Sequence, residues 1–236
     1  MNDRIRDQSI LLTGGSGGIG SALAEHLLLQ GARQVICGAS RRVPERPGIT
    51  PETVDVTRLD SVQALAQRHT RSGISVVIHC AGVNGNSPLS APGFEVTARR
   101  EIEVNYLGLL HVAAAFAPLL EGRPGATLVS MLSFLSHVSV PQMATYCASK
   151  AAAHSLTQSL RQDLRPRGIT VCGIYPTAVD TAMSRDFPGA KLAPSELARM
   201  IVEAVENGVE ELYPAPAREQ YLQLLRSRAE EAGRQP

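Results

Sequence analysis

A doubly wound α/β fold, one parallel sheet with helices on both faces, is what this 236-residue sequence predicts. Three observations carry it. Short apolar runs at 9–13, 34–38, 53–56, 74–80, 126–130, 169–175 and 209–213 alternate with helical stretches, and that alternation calls for a parallel sheet. The first run empties into Gly14-Gly15-Ser16-Gly17-Gly18-Ile19-Gly20, after which residues 21–30 are helical and Gly31 ends the helix. No repeat, low-complexity block or linker divides the chain, so residues 1–236 read as a single dinucleotide-binding and catalytic domain of the Rossmann type.

The glycine loop explains the first unit. A strand feeding a glycine loop feeding a helix N-terminus presents bare backbone N–H groups and the positive end of a helix dipole to an anion. Gly14, Gly18 and Gly20 give the spacing G-x-x-x-G-x-G after a threonine, and Ser16, Gly17 and Ile19 line the same turn. The stretch Gly14-x-Ser16-x-Gly18 also matches a serine-hydrolase nucleophile elbow. That reading needs a histidine late in the chain, and the last one is His154.

The run 34–38 is a second strand, followed by Ser40-Arg41-Arg42. In a dinucleotide fold this strand end meets the adenosine ribose, where an acid takes the 2′-hydroxyl and an arginine accommodates a 2′-phosphate. Two arginines and no acid point to NADP(H) as preferred cofactor, with NAD(H) admissible. Pro44, Pro47 and Pro51 rule a helix out of the next crossover, leaving an extended loop. Strand three is expected at 53–56, a helix from Thr57-x-x-Asp60 to Arg71, strand four at 74–80 and a long helix at 94–117. Strand five at 126–130, a helix from Tyr146 to about Arg165, strand six at 169–175, a helix at 195–207 and a last strand at 209–213 complete the alternation. The charged tail from Arg218 is expected to be partly mobile.

Composition narrows the partners. Hydrophobic content of 44%, charged content of 19% and a net charge of +1 are those of an ordinary globule and argue against nucleic acid or an anionic membrane. Small molecules remain. The apolar run after the charged N-terminus is too short for a signal peptide, no segment is expected to reach the length of a membrane span because Pro118 interrupts the most apolar helix, and a cytoplasmic protein is expected. Cys37, Cys80, Cys147 and Cys172 form no C-x-x-C and no metal-like spacing with histidine, so buried free thiols and no metal site are predicted.

The chemistry concentrates at Tyr146-Cys147-Ala148-Ser149-Lys150. Tyr146 and Lys150 are four apart and share a helix face, whereas Cys147 points elsewhere. A phenol with its usual pKa near 10 needs help to ionise at neutral pH. An ammonium at about 4 Å supplies roughly 4 kcal/mol, about a thousandfold in acidity, and desolvation opposes it.

With these residues in place the sequence resembles the short-chain dehydrogenase/reductase family over nearly its whole length. The markers are Thr13-Gly14-x-x-x-Gly18-Ile19-Gly20, Ala81-Gly82 after strand four, Asn105 within Val104-Asn105-Tyr106-Leu107-Gly108, Tyr146-x-x-x-Lys150, and Ser133, thirteen residues before the tyrosine. The resemblance implies hydride transfer between nicotinamide and a carbonyl or alcohol carbon. Tyr146 would move the hydroxyl proton, Lys150 hold the ribose and lower the tyrosine's pKa, Ser133 bond the substrate oxygen and Asn105 position a relay water. It further implies cofactor contacts from Asp55, Val56, Cys80, Ala81, Gly82, Pro176, Val179 and Thr181, and substrate contact from Phe134.

Three departures stand out. The family's Asn-Asn-Ala-Gly is here His79-Cys80-Ala81-Gly82, its Pro-Gly is Pro176-Thr177, and the helix between strands two and three is missing. The apolar stretches 134–143 and 182–193 suggest a small or medium hydrophobic carbonyl compound, with His137 a solvent-facing loop residue. Alanines at 113–115 and 151–153 allow close helix packing, which in this family pairs subunits, so a homodimer or homotetramer is expected. The second reading, a catalytically silent dinucleotide sensor on the same fold, has no use for a tuned phenol.

Overall fold

Successive strand side chains point to opposite faces, and β1 (Ser9–Thr13) shows the consequence. Ile10 and Leu12 enter one core and Leu11 the other. Every strand with both faces covered is therefore buried along nearly all its length and mostly apolar, as a central parallel strand must be. The computed structural model describes residues 3–232. β1 is followed by α1 (Gly18–Leu29), β2 (Gln34–Ala39), β3 (Ile49–Thr53), α2 (Leu59–Arg68), β4 (Ile74–His79) and α3 (Phe94–Glu101). A π-helical turn (Ile102–Leu107) leads into α4 (Gly108–Leu120), then β5 (Thr127–Met131), α5 (Ala144–Leu164), β6 (Thr170–Ile174), α6 (Pro194–Glu206), β7 (Glu211–Leu212) and α7 (Ala217–Ala232).

All seven strands lie in one sheet of order β3-β2-β1-β4-β5-β6-β7, and every pairing is parallel. Leu23 and Leu27 of α1 and Leu197 and Ile201 of α6 fill one face. Val62 and Leu65 of α2 and Val112 and Phe116 of α4 fill the other. The order reverses between β1 and β4, whose carboxyl ends open the crevice where such sheets bind ligands.

Three expectations need correction. The third strand is Ile49–Thr53, not 53–56. Gly48, at φ +78°, turns the chain so that Ile49 opposes Val35, and an outer strand tolerates Pro51. Val54 and Val56 are buried after the strand has ended, so their hydrophobicity reports packing and not pairing. Thr57 does not cap a helix to Arg71. Its hydroxyl donates to Asp55 Oδ1 at 2.7 Å, and α2 starts two residues later and stops at Arg68. The tail from Arg218 is helical within α7 as far as Ala232, with Tyr221 stacked on Tyr213 at 4.4 Å between ring centres, and residues 233–236 lie outside the described residues.

The third concerns length. The continuous helical run Phe94–Leu120 has 27 residues and a mean hydropathy of 1.4 over its most apolar window, long and apolar enough to cross a membrane. Pro118 lies in its last turn and does not break it. Val112, Phe116 and Leu120 are instead buried against the sheet, so the apolar stripe is a core face. The extended crossover between β2 and β3 is as expected, with no helix between them.

The chain start is tied beneath the sheet by one carboxylate. Glu206 Oε2 accepts from Arg4 N at 3.0 Å and Oε1 from Ile5 N at 3.1 Å, while Arg4 Nη1 donates to the hydroxyls of Thr127 and Thr170. Glu206→Ala leaves both amides without their acceptor, and we expect a loss of about 2 kcal/mol in urea unfolding with an unchanged m-value.

Candidate functional site

At the carboxyl ends of β1 and β4 the glycine loop packs against the opposite strand end. Gly14 has φ +77°, and a Cβ there would lie 2.7 Å from Ala81 N, so only glycine lets the loop reach residues 80–81. A Cβ on Gly20 would lie 2.2 Å from Gly14 O. The first turn of α1 carries no acid and Gly17 gives no side-chain cap, which leaves its N–H groups and dipole facing outward.

The groove in front of this helix end is lined by Gly14, Ser16, Gly17, Gly18, Ile19, Ser40, Arg41, Asp55, Val56, Cys80, Ala81, Gly82 and Thr181. Arg42 borders an adjoining hollow with Ser40, Arg41, Glu45 and Glu52. Uncapped amides, a close-approach glycine loop and a cationic end fit a dinucleotide phosphate. Besides Tyr146 and Lys150, two expected contacts are absent from the groove wall. Val179 is 5% exposed and packs in the core, and Pro176 is buried with its carbonyl accepting from Phe134 N, so both offer a ligand at most their backbone. Sequence reasoning missed Arg100, Val83, Val104 and Met183, which also line the groove. They come from α3, the π turn and adjacent loops, and no glycine or spacing signal marks them.

Asn105, Ser133, Tyr146 and Lys150 come together next to Gly82. All four are buried, at 2, 7, 9 and 4% exposure. Ser133 caps the 3-10 turn Phe134–Ser136, accepting from Leu135 N, and its hydroxyl is near enough to the Tyr146 phenol to favour its ionised form. Lys150 Nζ donates to Met131 O at 2.8 Å and lies 5.8 Å from the centre of the tyrosine ring. A Cβ on Gly82 would sit 3.3 Å from Asn105 Oδ1 and 3.6 Å from Lys150 Nζ, so the strand end passes directly over both.

Asn105 belongs to the π turn, a local widening that sequence does not reveal and that often marks functional positions. Its Oδ1 accepts from Val83 N, and its Nδ2 donates to Val83 O and to Ser149 Oγ, each at 2.9 Å. Its side chain is thus committed to holding the loop after β4. A role as side-chain holder of a water is not what this geometry displays. Ser149 Oγ in turn donates to Tyr146 O at 2.8 Å, locking π turn and α5 together.

The electrostatic expectation for the pair reverses among the protein's own groups. Burial raises the Tyr146 pKa well above its ordinary value, the Ser133 hydrogen bond lowers it, and Cys147 and Glu101 raise it further. Lys150 is itself pushed down to about 8, mainly by burial. Its ammonium points at a carbonyl, and at 5.8 Å from the ring it does not offset the lost hydration of the phenol. The phenol is therefore protonated at neutral pH.

Beneath the site, His79 replaces the family asparagine. Its Nδ1 bonds Thr13 Oγ1 at 3.0 Å, linking β4 to β1 as a buried polar strut. Burial first, then Lys150, push it down to about 3, so it is neutral. Burial pushes the Cys80 thiol up to about 12, against a smaller lowering by Lys150, so it stays a thiol at neutral pH. His137 is not a solvent-facing loop residue. It lies among Tyr175, Tyr221, Tyr213 and His154, with centres 4.5 to 5.8 Å away, because the turn after Ser133 folds back over β6 and β7. The segment 182–193 is closed by a bridge between Val179 and Leu192 and exposes Met183 and Phe187.

Parallel sheet, glycine cradle and the buried tyrosine and lysine together define a dinucleotide-dependent oxidoreductase. A family model for short chain dehydrogenases matches residues 8–191. An uncharacterized oxidoreductase, DltE, of Bacillus subtilis is 30% identical, over 89% of this chain and 88% of its own. A 1-hydroxy-2-glutathionyl-2-methyl-3-butene dehydrogenase of Rhodococcus sp. is 31% identical, over 84% and 91%. A short chain dehydrogenase from Burkholderia cenocepacia, solved in complex with NADP, superposes with a TM-score of 0.89 at 34% identity, over 98% of this chain and 99% of that one. The chain belongs to the short-chain dehydrogenase/reductase family and is an NAD(P)-dependent enzyme acting on small molecules.

Lys150 gives a pH test. Its pKa is lower folded, about 8, than the ordinary 10.5, so between these values the unfolded chain binds the extra proton and stability from this group rises with pH. Urea unfolding of the wild type and Lys150→Met from about pH 7.5 to 10 should show a difference between the two proteins that shifts in favour of the wild type as pH rises; a constant difference means the lysine is not desolvated.

Proposed function

We propose an NADP(H)-preferring oxidoreductase that reduces a ketone or aldehyde, or oxidises the corresponding secondary alcohol, with Tyr146 moving the hydroxyl proton. The observation that carries it is that the phenol of Tyr146 and the hydroxyl of Ser133 are buried close enough to interact, beside the strand end that borders the dinucleotide groove. A bound nicotinamide supplies the hydride. The chain's own task is one proton and one orientation. Ser133 donates to the substrate oxygen, and Tyr146 gives that oxygen its proton as the carbon gains the hydride. Lys150, within reach of the strand end at Gly82, holds the ribose and returns a proton to the phenolate.

Preference for NADP(H) rests on Arg41 and Arg42 just past β2, where Gly38-Ala39-Ser40 includes no acid to take a 2′-hydroxyl. Of the two acids in that hollow, Glu52 is tied to Arg68 and His69 at 2.7 Å. The Burkholderia relative, solved with NADP, supports the same reading. The Rhodococcus relative and a 2-(S)-hydroxypropyl-CoM dehydrogenase of Xanthobacter autotrophicus, 30% identical, are named for alcohol substrates. Apolar Phe134, Met183 and Phe187 suit a small or medium hydrophobic carbonyl compound. We place the enzyme in the cytoplasm as a homodimer or homotetramer formed through α4 and α5, whose Ala114 and Ala151 face outward while Ala113 and Ala153 pack inside.

A panel of aliphatic and aromatic ketones, aldehydes and alcohols with NADPH, NADH and their oxidised forms tests this directly. With the best pair found, Tyr146→Phe should lower turnover about 10²- to 10⁴-fold at unchanged cofactor affinity; full turnover removes the tyrosine from the reaction. Replacing both Arg41 and Arg42 by alanine should weaken NADPH binding about tenfold or more and spare NADH, as read by nucleotide fluorescence. Equal losses on both rule out a 2′-phosphate site there.

A further inference from the structure

Two opposite charges line the dinucleotide groove: Asp55, two residues after β3, and Arg100, from α3. Apolar side chains accompany them on the same wall. Val54 and Val56 flank the acid in sequence, and Val104 follows the arginine by four residues on one helical run, so both reach the groove from the same helix face.

The acid is fixed in place with one oxygen left over. Thr57 N and Oγ1 both donate to Asp55 Oδ1, at 3.0 and 2.7 Å, and Asp55 N donates to Ser61 Oγ at 3.0 Å. Oδ2 takes no hydrogen bond among the described residues. The Thr57 bonds, against burial and with smaller help from Arg100 and Arg58, hold the carboxyl below its ordinary value, so it is ionised at neutral pH. The arginine is loosely held. Its ion pair among the described residues is with Glu103, Nη1 to Oε2 at 3.8 Å, and both side chains are about half exposed. Such a pair contributes little and leaves the guanidinium able to turn over the groove. No ion pair joins Arg100 to Asp55 among the described residues, so the two charges keep bonding capacity for a ligand that enters the groove they line.

A carboxylate only accepts hydrogen bonds and a guanidinium only donates them. The edge of adenine presents the complement, an amino group on C6 that donates and a ring nitrogen, N1, that accepts. Hypoxanthine reverses both, with an oxygen on C6 and a hydrogen on N1. We propose that Arg100 is a specificity-determining residue of the cofactor site: its guanidinium donates to N1 of the adenine while Asp55 Oδ2 accepts from the 6-amino group, so the pair selects an adenine dinucleotide over one that carries hypoxanthine. This rests on the reading of the groove as a dinucleotide site. It is separate from the 2′-phosphate role of Arg41 and Arg42, since the base is common to NADPH and NADH. A site built to bond a polar edge rejects the analogue that reverses it, because its own buried or pinned groups then face like partners. No contact with the reacting atoms is assigned to Arg100.

The ratio of two affinities isolates the base from the charge of the rest of the nucleotide. NADPH and its reduced hypoxanthine analogue, nicotinamide hypoxanthine dinucleotide phosphate, are titrated by nucleotide fluorescence into the purified full chain, and NADH is compared with its own hypoxanthine analogue. Wild type should prefer adenine about tenfold or more. Arg100→Ala should weaken NADPH about tenfold and the analogue little, so that the preference collapses, and the NADH pair should behave alike. In Asp55→Asn the Thr57 bonds keep the amide oxygen at Oδ1 and put an N–H donor in the place of Oδ2, so the preference should move toward hypoxanthine. Equal losses on both nucleotides in Arg100→Ala, the result for a charge that merely attracts an anion, overturn the proposal, as does a wild type that binds both bases equally. A wild type that binds neither NADPH nor NADH overturns the dinucleotide reading and this role with it; tight binding of both with an unmoved ratio in Arg100→Ala overturns the role of Arg100 alone.

Discussion

Desolvation of two side chains, a phenol and an ammonium, is the constraint on which the site depends. Tyr146 and Lys150 are held out of water one helical turn apart, and each is driven toward its uncharged form. In water their attraction would be small; in a dry pocket it is large, but each must first lose its hydration. The protein groups around them leave that loss uncompensated for the tyrosine. Under the proposed function, Lys150, which donates to Met131 O, holds the ribose of a dinucleotide in the adjoining groove. The glycine loop, the bulge of the π turn and the loop after β4 all keep these two side chains buried and that groove next to them.

Much of this was legible because short motifs encode backbone requirements. Gly14 and Gly20 are demanded by contacts of 2.7 and 2.2 Å that any Cβ would make, so their spacing in sequence is a direct record of a close approach. Tyr146 and Lys150 obey helical spacing, and Ser133 lies at a fixed interval from them. Strand three was misread because Val54 and Val56 are apolar for packing reasons, whereas the residues that pair with β2 include Thr50, Pro51 and Glu52. Glu101 and Arg100 were invisible for another reason. A charged residue in a charged stretch looks solvated, and only the tertiary fold shows that one is enclosed and its neighbour faces a groove. The sign of the effect on Tyr146 was also beyond sequence, since it turns on where the lysine's ammonium points.

The replacement of asparagine by His79 illustrates how a polar strut survives a change of residue. A neutral imidazole bonds Thr13 and fills the space beneath Gly108, whose Cβ, if present, would lie 3.5 Å from its ring. Its other ring nitrogen has no partner among the described residues. The neighbouring thiol of Cys80, in the asparagine's second place, borders the groove as a protonated thiol at neutral pH.

The two margins of the sheet carry a consequence for how copies of this chain meet. β3 exposes an outer strand containing Pro51, which has no N–H to give to a foreign strand, and its Glu52 is engaged by Arg68 and His69. β7 is only two residues long. Neither margin offers a continuous ladder of free peptide groups, so the sheet resists growing into a neighbour's and the chain is protected against fibrillar self-association. Assembly, where it occurs, is left to helical surfaces.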